Sequence, residues 1–438
     1  MEHGSITMIA GMFRTNASRN GGGGSGSADG RLAAEVRRFL AAHGHAALFE
    51  SGEPLLLLEP GRCSVEERGG RVVLEAWDDH RSFSRRLSGV ASLAPGRLEL
   101  YTERFGNRRG RLVLSSRPDE LARRAGRDCA LAEFGERLSR QFPGASVEVL
   151  TSGPDLEHSL SPVYPRALLR HAGRVWAAIG APLGAAHPEN VLTFGLIWLD
   201  YVRGRKNHNA VAGLAVFLPE QAAASCCLRV RHLNREAALF RVFACAATGG
   251  ETEIDPLHFG NVDTRLQRAV MGSAGAGRGC DGAEDEHKLE LIVREKLETI
   301  DAELLSAPVY RQASGVTGCD RGIPDLLAVD RAGRLAVIEL KVSEDIQMPL
   351  QALDYWIRAR WHLDRGEFTA RGYFPGIELR KEAPRVLLIA PAFAFHPAHD
   401  TVLGFIDPAI EVTRFGLGLQ WRKELKVVFR KEAERLRR

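Results

Sequence analysis

Ile323-Pro324-Asp325-Leu326-Leu327-Ala328-Val329, a turn at Asp330-Arg331-Ala332-Gly333, then Val337-Ile338-Glu339-Leu340-Lys341 is the stretch that decides the fold. Two apolar runs flank a turn-forming tetrapeptide, so the segment reads as two adjacent strands joined by a hairpin, Asp325 opening the first and Glu339 late in the second. Along the second strand side chains alternate, which puts Leu335, Val337, Glu339 and Lys341 on one face and Ala336, Ile338 and Leu340 on the other. Pairing then brings two carboxylates together beside a lysine. Carboxylates held side by side repel unless a cation lies between them, and oxygen ligands of this kind suit a hard divalent ion such as Mg²⁺. Magnesium keeps several waters and takes one or two carboxylates plus phosphate oxygens, and a nearby lysine can orient or deprotonate one water. That is the chemistry of phosphodiester hydrolysis. Glu-x-Lys by itself also describes a solvated strand, so the neighbours decide.

Upstream, Glu286-His287-Lys288-Leu289-Glu290 opens an amphipathic segment through Leu297, with Glu286 and Glu290 one turn apart on one face. Downstream, Gln351-Ala352-Leu353-Asp354-Tyr355 puts Gln351 and Tyr355 on one helical face, while Leu350, Leu353 and Ile357 form the apolar stripe. Pro324-Asp325, a hairpin-length gap and Glu339-Leu340-Lys341 resemble the PD-(D/E)xK nuclease superfamily, whose motif is written in those letters. The Gln-x-x-x-Tyr element resembles the branch containing RecB-type nuclease domains and archaeal-type mismatch or branched-DNA endonucleases. The resemblance covers Glu286 to Pro391. It implies a restriction-endonuclease-like αβββαβ core: helix 288–300, a short strand near 308–312, the hairpin 324–342, helix 349–363 and a buried strand 385–390. It also implies roles. Asp325 and Glu339, with the Leu340 carbonyl and Glu290 through water, hold Mg²⁺ or Mn²⁺; Lys341 orients the attacking water; Gln351 and Tyr355 position the scissile strand.

The chain has 438 residues, 45% of them hydrophobic, enough for two or three domains, and a net charge of only +4 that does not by itself advertise nucleic-acid binding. Arg422 to Arg438 is locally basic and reads as a solvated helix or tail with a weaker claim to phosphate contact. Seven cysteines, with no Cys-x-x-Cys pair, point to neither a disulfide framework nor a zinc ribbon and fit a reducing cytoplasm. No segment reaches membrane-spanning length without charges, so no membrane partner is expected.

Composition breaks divide the chain. Asn20 to Ser27 is a Gly/Ser linker, making 1–29 a disordered leader, and the Gly/Ala/Ser/Asp run of 271–286 is a second linker. Between them, 30–118 reads as a strand-rich domain: a helix at 31–43, then strands at 54–59, 71–77, 97–105 and 111–115. Residues 119–270 read as a mixed α/β domain with a helix at 166–179 and strands at 193–202, 211–218 and 239–245. Neither shows a repeat, a phosphate loop or a nucleophile elbow. The nuclease-like domain occupies 287–438. The expected architecture is therefore multidomain α+β and α/β.

Weaker signals carry less. Arg203 to Asn209 is a basic loop that more often is solvated than phosphate-binding. His396 and His399 lack a third ligand. Trp356 and Trp361 read as core rather than base-stacking residues. The expected function is Mg²⁺-dependent hydrolysis of nucleic acid, DNA by family analogy, in repair, recombination or phage defence, with room for a homodimer. The alternative is a non-cleaving nucleic-acid-binding or scaffolding protein that keeps the fold.

Overall fold

The computed structural model describes residues 28–50, 53–59, 61–68, 71–77, 82–104, 108–155, 157–205, 211–262, 266, 283–311 and 325–434. Most of the expected 1–29 leader, Lys206 to Asn209 of the basic loop, 271–282 of the second linker and Pro324 of the motif lie outside them. The described residues form nine α-helices and three sheets in a mixed α+β arrangement, and fall into two compact units, 1–133 and 134–438.

The first unit is a seven-stranded antiparallel sheet in which β3 to β7 run as a meander and β1 pairs with β7. Helix α1 (Ala28–Ala42) precedes β1 (Ala46–Glu50), β2 (Glu53–Leu58), β3 (Cys63–Arg68), β4 (Arg71–Trp77), β5 (Ser82–Ala94), β6 (Arg97–Arg104) and β7 (Arg108–Ser115). The sheet order is β2-β1-β7-β6-β5-β4-β3. Leu32, Val36 and Phe39 of α1 bury one face of it against Leu48, Leu74, Leu98 and Leu112. The alternation of buried and exposed residues along β4 is what a sheet covered on one side requires.

Helix α2 (Pro118–Gln141) crosses the border between the units, and its Phe134 and Leu138 belong to the core of the second. That unit contains β8 (Ser146–Thr151), β9 (Arg166–His171), β10 (Arg174–Gly180), α3 (Val191–Gly204), β11 (Val211–Pro219), α4 (Glu220–Val230), β12 (Leu239–Cys245) and β13 (Glu251–Ile254), giving the sheet β13-β12-β11-β10-β9-β8. Two expectations are corrected here. Residues 166–179 are a hairpin, not a helix, because Ala172 and Gly173 take φ of 46° and 74°, the pair of positive values a tight two-residue turn demands. The strands it joins are buried on both faces, and such continuous apolar runs cannot be told from helix by periodicity. Residues 193–202 are not a strand; they lie within α3, the crossover that carries the chain from β10 to the parallel strand β11.

The last part follows the expected element order more closely. Helices α5 (Ala283–Glu295) and α6 (Leu297–Ile300) lead to β14 (Tyr310–Arg311), β15 (Leu326–Val329) and β16 (Leu335–Leu340). Then come α7 (Met348–Asp364), α8 (Glu367–Ala370), β17 (Arg385–Pro391), α9 (His399–Gly404), β18 (Val412–Leu417) and β19 (Val427–Glu432), the six strands pairing in chain order. Within the expected basic helix or tail at 422–438, residues 427–432 form strand β19, and 435–438 lie outside the described residues. Helix α5 starts inside the segment expected to be linker. No division of cores follows the linker either: Leu196, Trp198, Val216 and Cys226 share one apolar cluster with Leu353, Trp356, Leu388 and Val402. The parts expected as separate domains before and after 271–286 are therefore one packed body.

Candidate active site

The geometry begins with the β15–β16 hairpin. Leu326 pairs with Ile338 and Val329 with Leu335, so one step outward in the same register sets Asp325 opposite Glu339. The tight end is held by Asp330, whose Oδ1 accepts the N–H groups of Ala332 and Arg334, both at 2.9 Å. Alternation along β16 sends Leu335 and Val337 against Tyr355, Ala359 and Leu363 of α7. Ala336, Ile338 and Leu340 pack instead against Leu289 and Val293 of α5. Every residue of β16 is buried, so Glu339 has no route to solvent along its own strand.

Glu339 is fully buried, and its Oε2 has no hydrogen-bond partner. The Lys341 ammonium lies 3.0 Å from Oε1 and pairs its charge, which leaves Oε2 as the oxygen without a partner. Burial, followed by the charge of Asp325, pushes the Glu339 carboxyl well above the usual carboxylate range. Asp325 is partly buried; its Oδ2 accepts the Leu340 N–H at 2.7 Å. Burial raises its carboxyl to about 6, against the opposing pull of Lys341 and that backbone bond. Burial works to lower the Lys341 ammonium, but Glu339, Glu286 and Asp325 together outweigh it and hold it above its ordinary value.

The two acids of α5 part company. Glu290, expected to join the carboxylate pair through water, is 7% exposed and clamped by the Arg311 guanidinium, with Nη2 at 2.9 Å from Oε2 and a second contact from Nε to Oε1. Glu286, one turn earlier, accepts from the Lys341 ammonium at 3.1 Å. Sequence reasoning put both acids on one face and favoured Glu290; Arg311, on the two-residue strand β14, carried no motif that would have marked it. Tyr355 is buried, and burial together with the Glu339 and Asp325 charges raises its phenol, keeping it a hydrogen-bond donor at neutral pH. The Gln351 side-chain oxygen is buried without a partner. Trp356 donates to the Pro384 carbonyl at 2.8 Å within the core, as expected. His399 is buried, its Nε2 against the Asp345 carbonyl at 2.7 Å, and burial lowers its ring to about 4.

Among the described residues no three His, Cys, Asp or Glu side chains stand together as a ready-made metal cage. A carboxylate pair set opposite one another, with the buried Oε2 of Glu339 unbonded, nevertheless has the oxygen-donor chemistry that a hard divalent cation takes, one or two carboxylates with waters kept. A cavity lined by His171, Arg174, Trp176, Arg235 and Arg241 belongs to the sheet of β8 to β13 and contains none of these groups. No helix of the described chain is long and apolar enough to cross a membrane. Set against family models, curated proteins and solved structures, the chain matches none of them.

Proposed function

We propose that this chain is a Mg²⁺- or Mn²⁺-dependent nuclease with a restriction-endonuclease-like core at 287–438, hydrolysing phosphodiester bonds of nucleic acid, DNA by the family resemblance. The observation that carries the reading is Glu339: a fully buried carboxylate opposite Asp325, with one oxygen 3.0 Å from the Lys341 ammonium and the other unbonded. An interior acid with an unbonded oxygen is costly, and a group kept at such cost is a functional candidate. Asp325 and Glu339 are the residues that would hold the cation. When bound it supplies positive charge for the phosphate and acidifies a water.

The remaining steps belong to the chain. Lys341 directs the attacking water with its ammonium and stabilises charge growing on the phosphate oxygens. Glu286 tethers that ammonium from α5, so its position is fixed by two elements rather than by its own flexible stem. Tyr355, kept protonated beside Glu339 and Asp325, and Gln351, one turn earlier on α7 with its unsatisfied oxygen, position the strand to be cut.

One observation favours the alternative of a non-cleaving nucleic-acid-binding or scaffolding protein: Lys341 already serves as counter-ion to Glu339 and Glu286. Incubation with linear, nicked, mismatched, branched and single-stranded DNA, with Mg²⁺ or Mn²⁺ and with chelator, separates the two. Cleavage that needs the metal and falls roughly a hundredfold or more in Lys341→Ala, the size of a lost proton-handling group, supports the nuclease. Binding to the same DNA with no cleavage under any condition supports the alternative.

A further inference from the structure

The two six-stranded sheets of the second unit repeat one another. Each runs, in chain order, through two antiparallel pairings, two parallel ones and a final antiparallel one. Each parallel step is a helical crossover: α3 and α4 in the first sheet, α7 and α9 in the second. The central hairpins carry the same tripeptide at turns of different length. Ala172-Gly173-Arg174 recurs as Ala332-Gly333-Arg334, with both glycines at positive φ, 74° and 86°. Counting outward from it, Ile179 falls where the second copy has Glu339, and Ala181 where it has Lys341. Arg166, the register partner of Ile179, falls where the second copy has Asp325. All three are buried. The Arg166 guanidinium is spent on the carbonyls of Gly153, Ser161 and Tyr164, so the first copy has a loop-holding cation where the second has an acid.

The contacts between the copies are reciprocal. Arg229 of α4 grips Asp354 of α7 at 2.6 and 2.9 Å, and Thr401 of α9 donates to Asp200 of α3 at 3.2 Å: first crossover to second crossover, in both directions. Just beyond α4 and α9, Leu233 forms an isolated bridge with Ile406. Around it Asn234 N–H donates to Phe405 at 2.7 Å and Asp407 N–H to His232 at 2.9 Å. Thr193, at the start of α3, bonds to Gln347, at the start of α7, at 2.6 Å. Contacts in which i meets j and the equivalent of j meets the equivalent of i are the mark of a twofold axis.

We infer that residues 134–262 are a site-free copy of the hydrolytic half, standing where a second protomer would stand. The chain is thus a fused pseudo-dimer with one site, and cuts one strand of a duplex per encounter. This rests on the nuclease reading. Two equivalent sites related by a twofold match the twofold symmetry of duplex DNA and can reach both strands; here one of the two lacks both acids and the lysine. The pseudo-dyad also consumes the helical face that a second chain would otherwise cover.

The test uses the full chain. Light scattering measures its mass in Mn²⁺, and limiting enzyme is given supercoiled plasmid, a mismatched duplex and a branched duplex with each strand labelled separately. The expected result is the mass of one 48.0 kDa chain, with single-strand cuts accumulating before any double-strand product. Double-strand breaks without a nicked intermediate, or a particle of twice that mass, overturn the inference while leaving the nuclease reading standing. No cut on any substrate overturns the nuclease reading and the nicking outcome together, and the mass alone then decides for or against the fused pair.

Discussion

At Asp325 burial raises the carboxyl to about 6 from an ordinary 3.8, with Lys341 and the Leu340 N–H pulling the other way. The folded protein therefore holds this proton through a range where the unfolded chain has released it. More protons bound in the folded state means stability falls as pH rises from about 4 through 6. Asp325→Asn abolishes that loss, and should gain on the wild type over the same range, by on the order of 2 kcal/mol at pH 7. Urea denaturation of both proteins at pH 4 and pH 7 checks it; parallel pH profiles would contradict the burial argument. The same raised carboxyls bear on cation binding, since carboxylate ligands must be ionised. Binding of Mn²⁺ near pH 6 should release protons, measured by titration calorimetry in buffers of different ionisation enthalpy, and Glu339→Gln should release fewer. The acids, the lysine and their strand alternation were legible because period-two patterning and turn chemistry are local. The partners of Glu290 and Lys341 were not, because Arg311 and Glu286 reach them across the fold.

Among elements, the β15–β16 hairpin sets the site, and its tightest point is Gly333. This residue has φ of +86°, and a Cβ there would stand 2.2 Å from the Glu378 carbonyl oxygen. Gly333→Ala meets both a disfavoured backbone conformation and a backbone clash, so it should cost roughly 1–3 kcal/mol and weaken the opposition of Asp325 and Glu339. Thermal melts with and without Mn²⁺ would show a lower midpoint and a smaller metal-induced rise; a wild-type response would mean the turn does not govern the register. Sequence reading recovered this hairpin, α7 and β17 nearly residue for residue. It reversed helix and strand at 166–179 and 193–202, since Ala, Leu and Arg there fit a helix and Phe, Ile, Trp and Tyr fit a strand. In both places burial and topology override propensity. That reversal concealed the repeat, because the hairpin carrying the second Ala-Gly-Arg turn was read as a helix.

Across the whole second unit, stability and site share one core. Arg229 and Asp354 are nearly buried, 7% and 15% exposed, at the joint between the two copies. Arg229→Ala leaves Asp354 without its partner and should destabilise by about 3 kcal/mol, the cost of breaking rather than replacing a buried pair. Because 134–262 and 283–434 share an apolar cluster, that loss should appear as one cooperative transition for the unit, with no separate melting of a C-terminal domain. Calorimetric resolution of two transitions within it would return the boundary to 271–286. The composition of the linker was legible; the cluster that joins its two sides was not, since contacts between distant helices leave no local pattern. Divalent cation at Asp325 and Glu339 is tested most directly by the Mn²⁺-induced shift in melting temperature of wild type, Asp325→Asn and Glu339→Gln. Binding to the folded state adds about 2.7 kcal/mol at a hundredfold excess over Kd. The wild type should therefore rise clearly, and each variant little; equal shifts in all three would contradict the site.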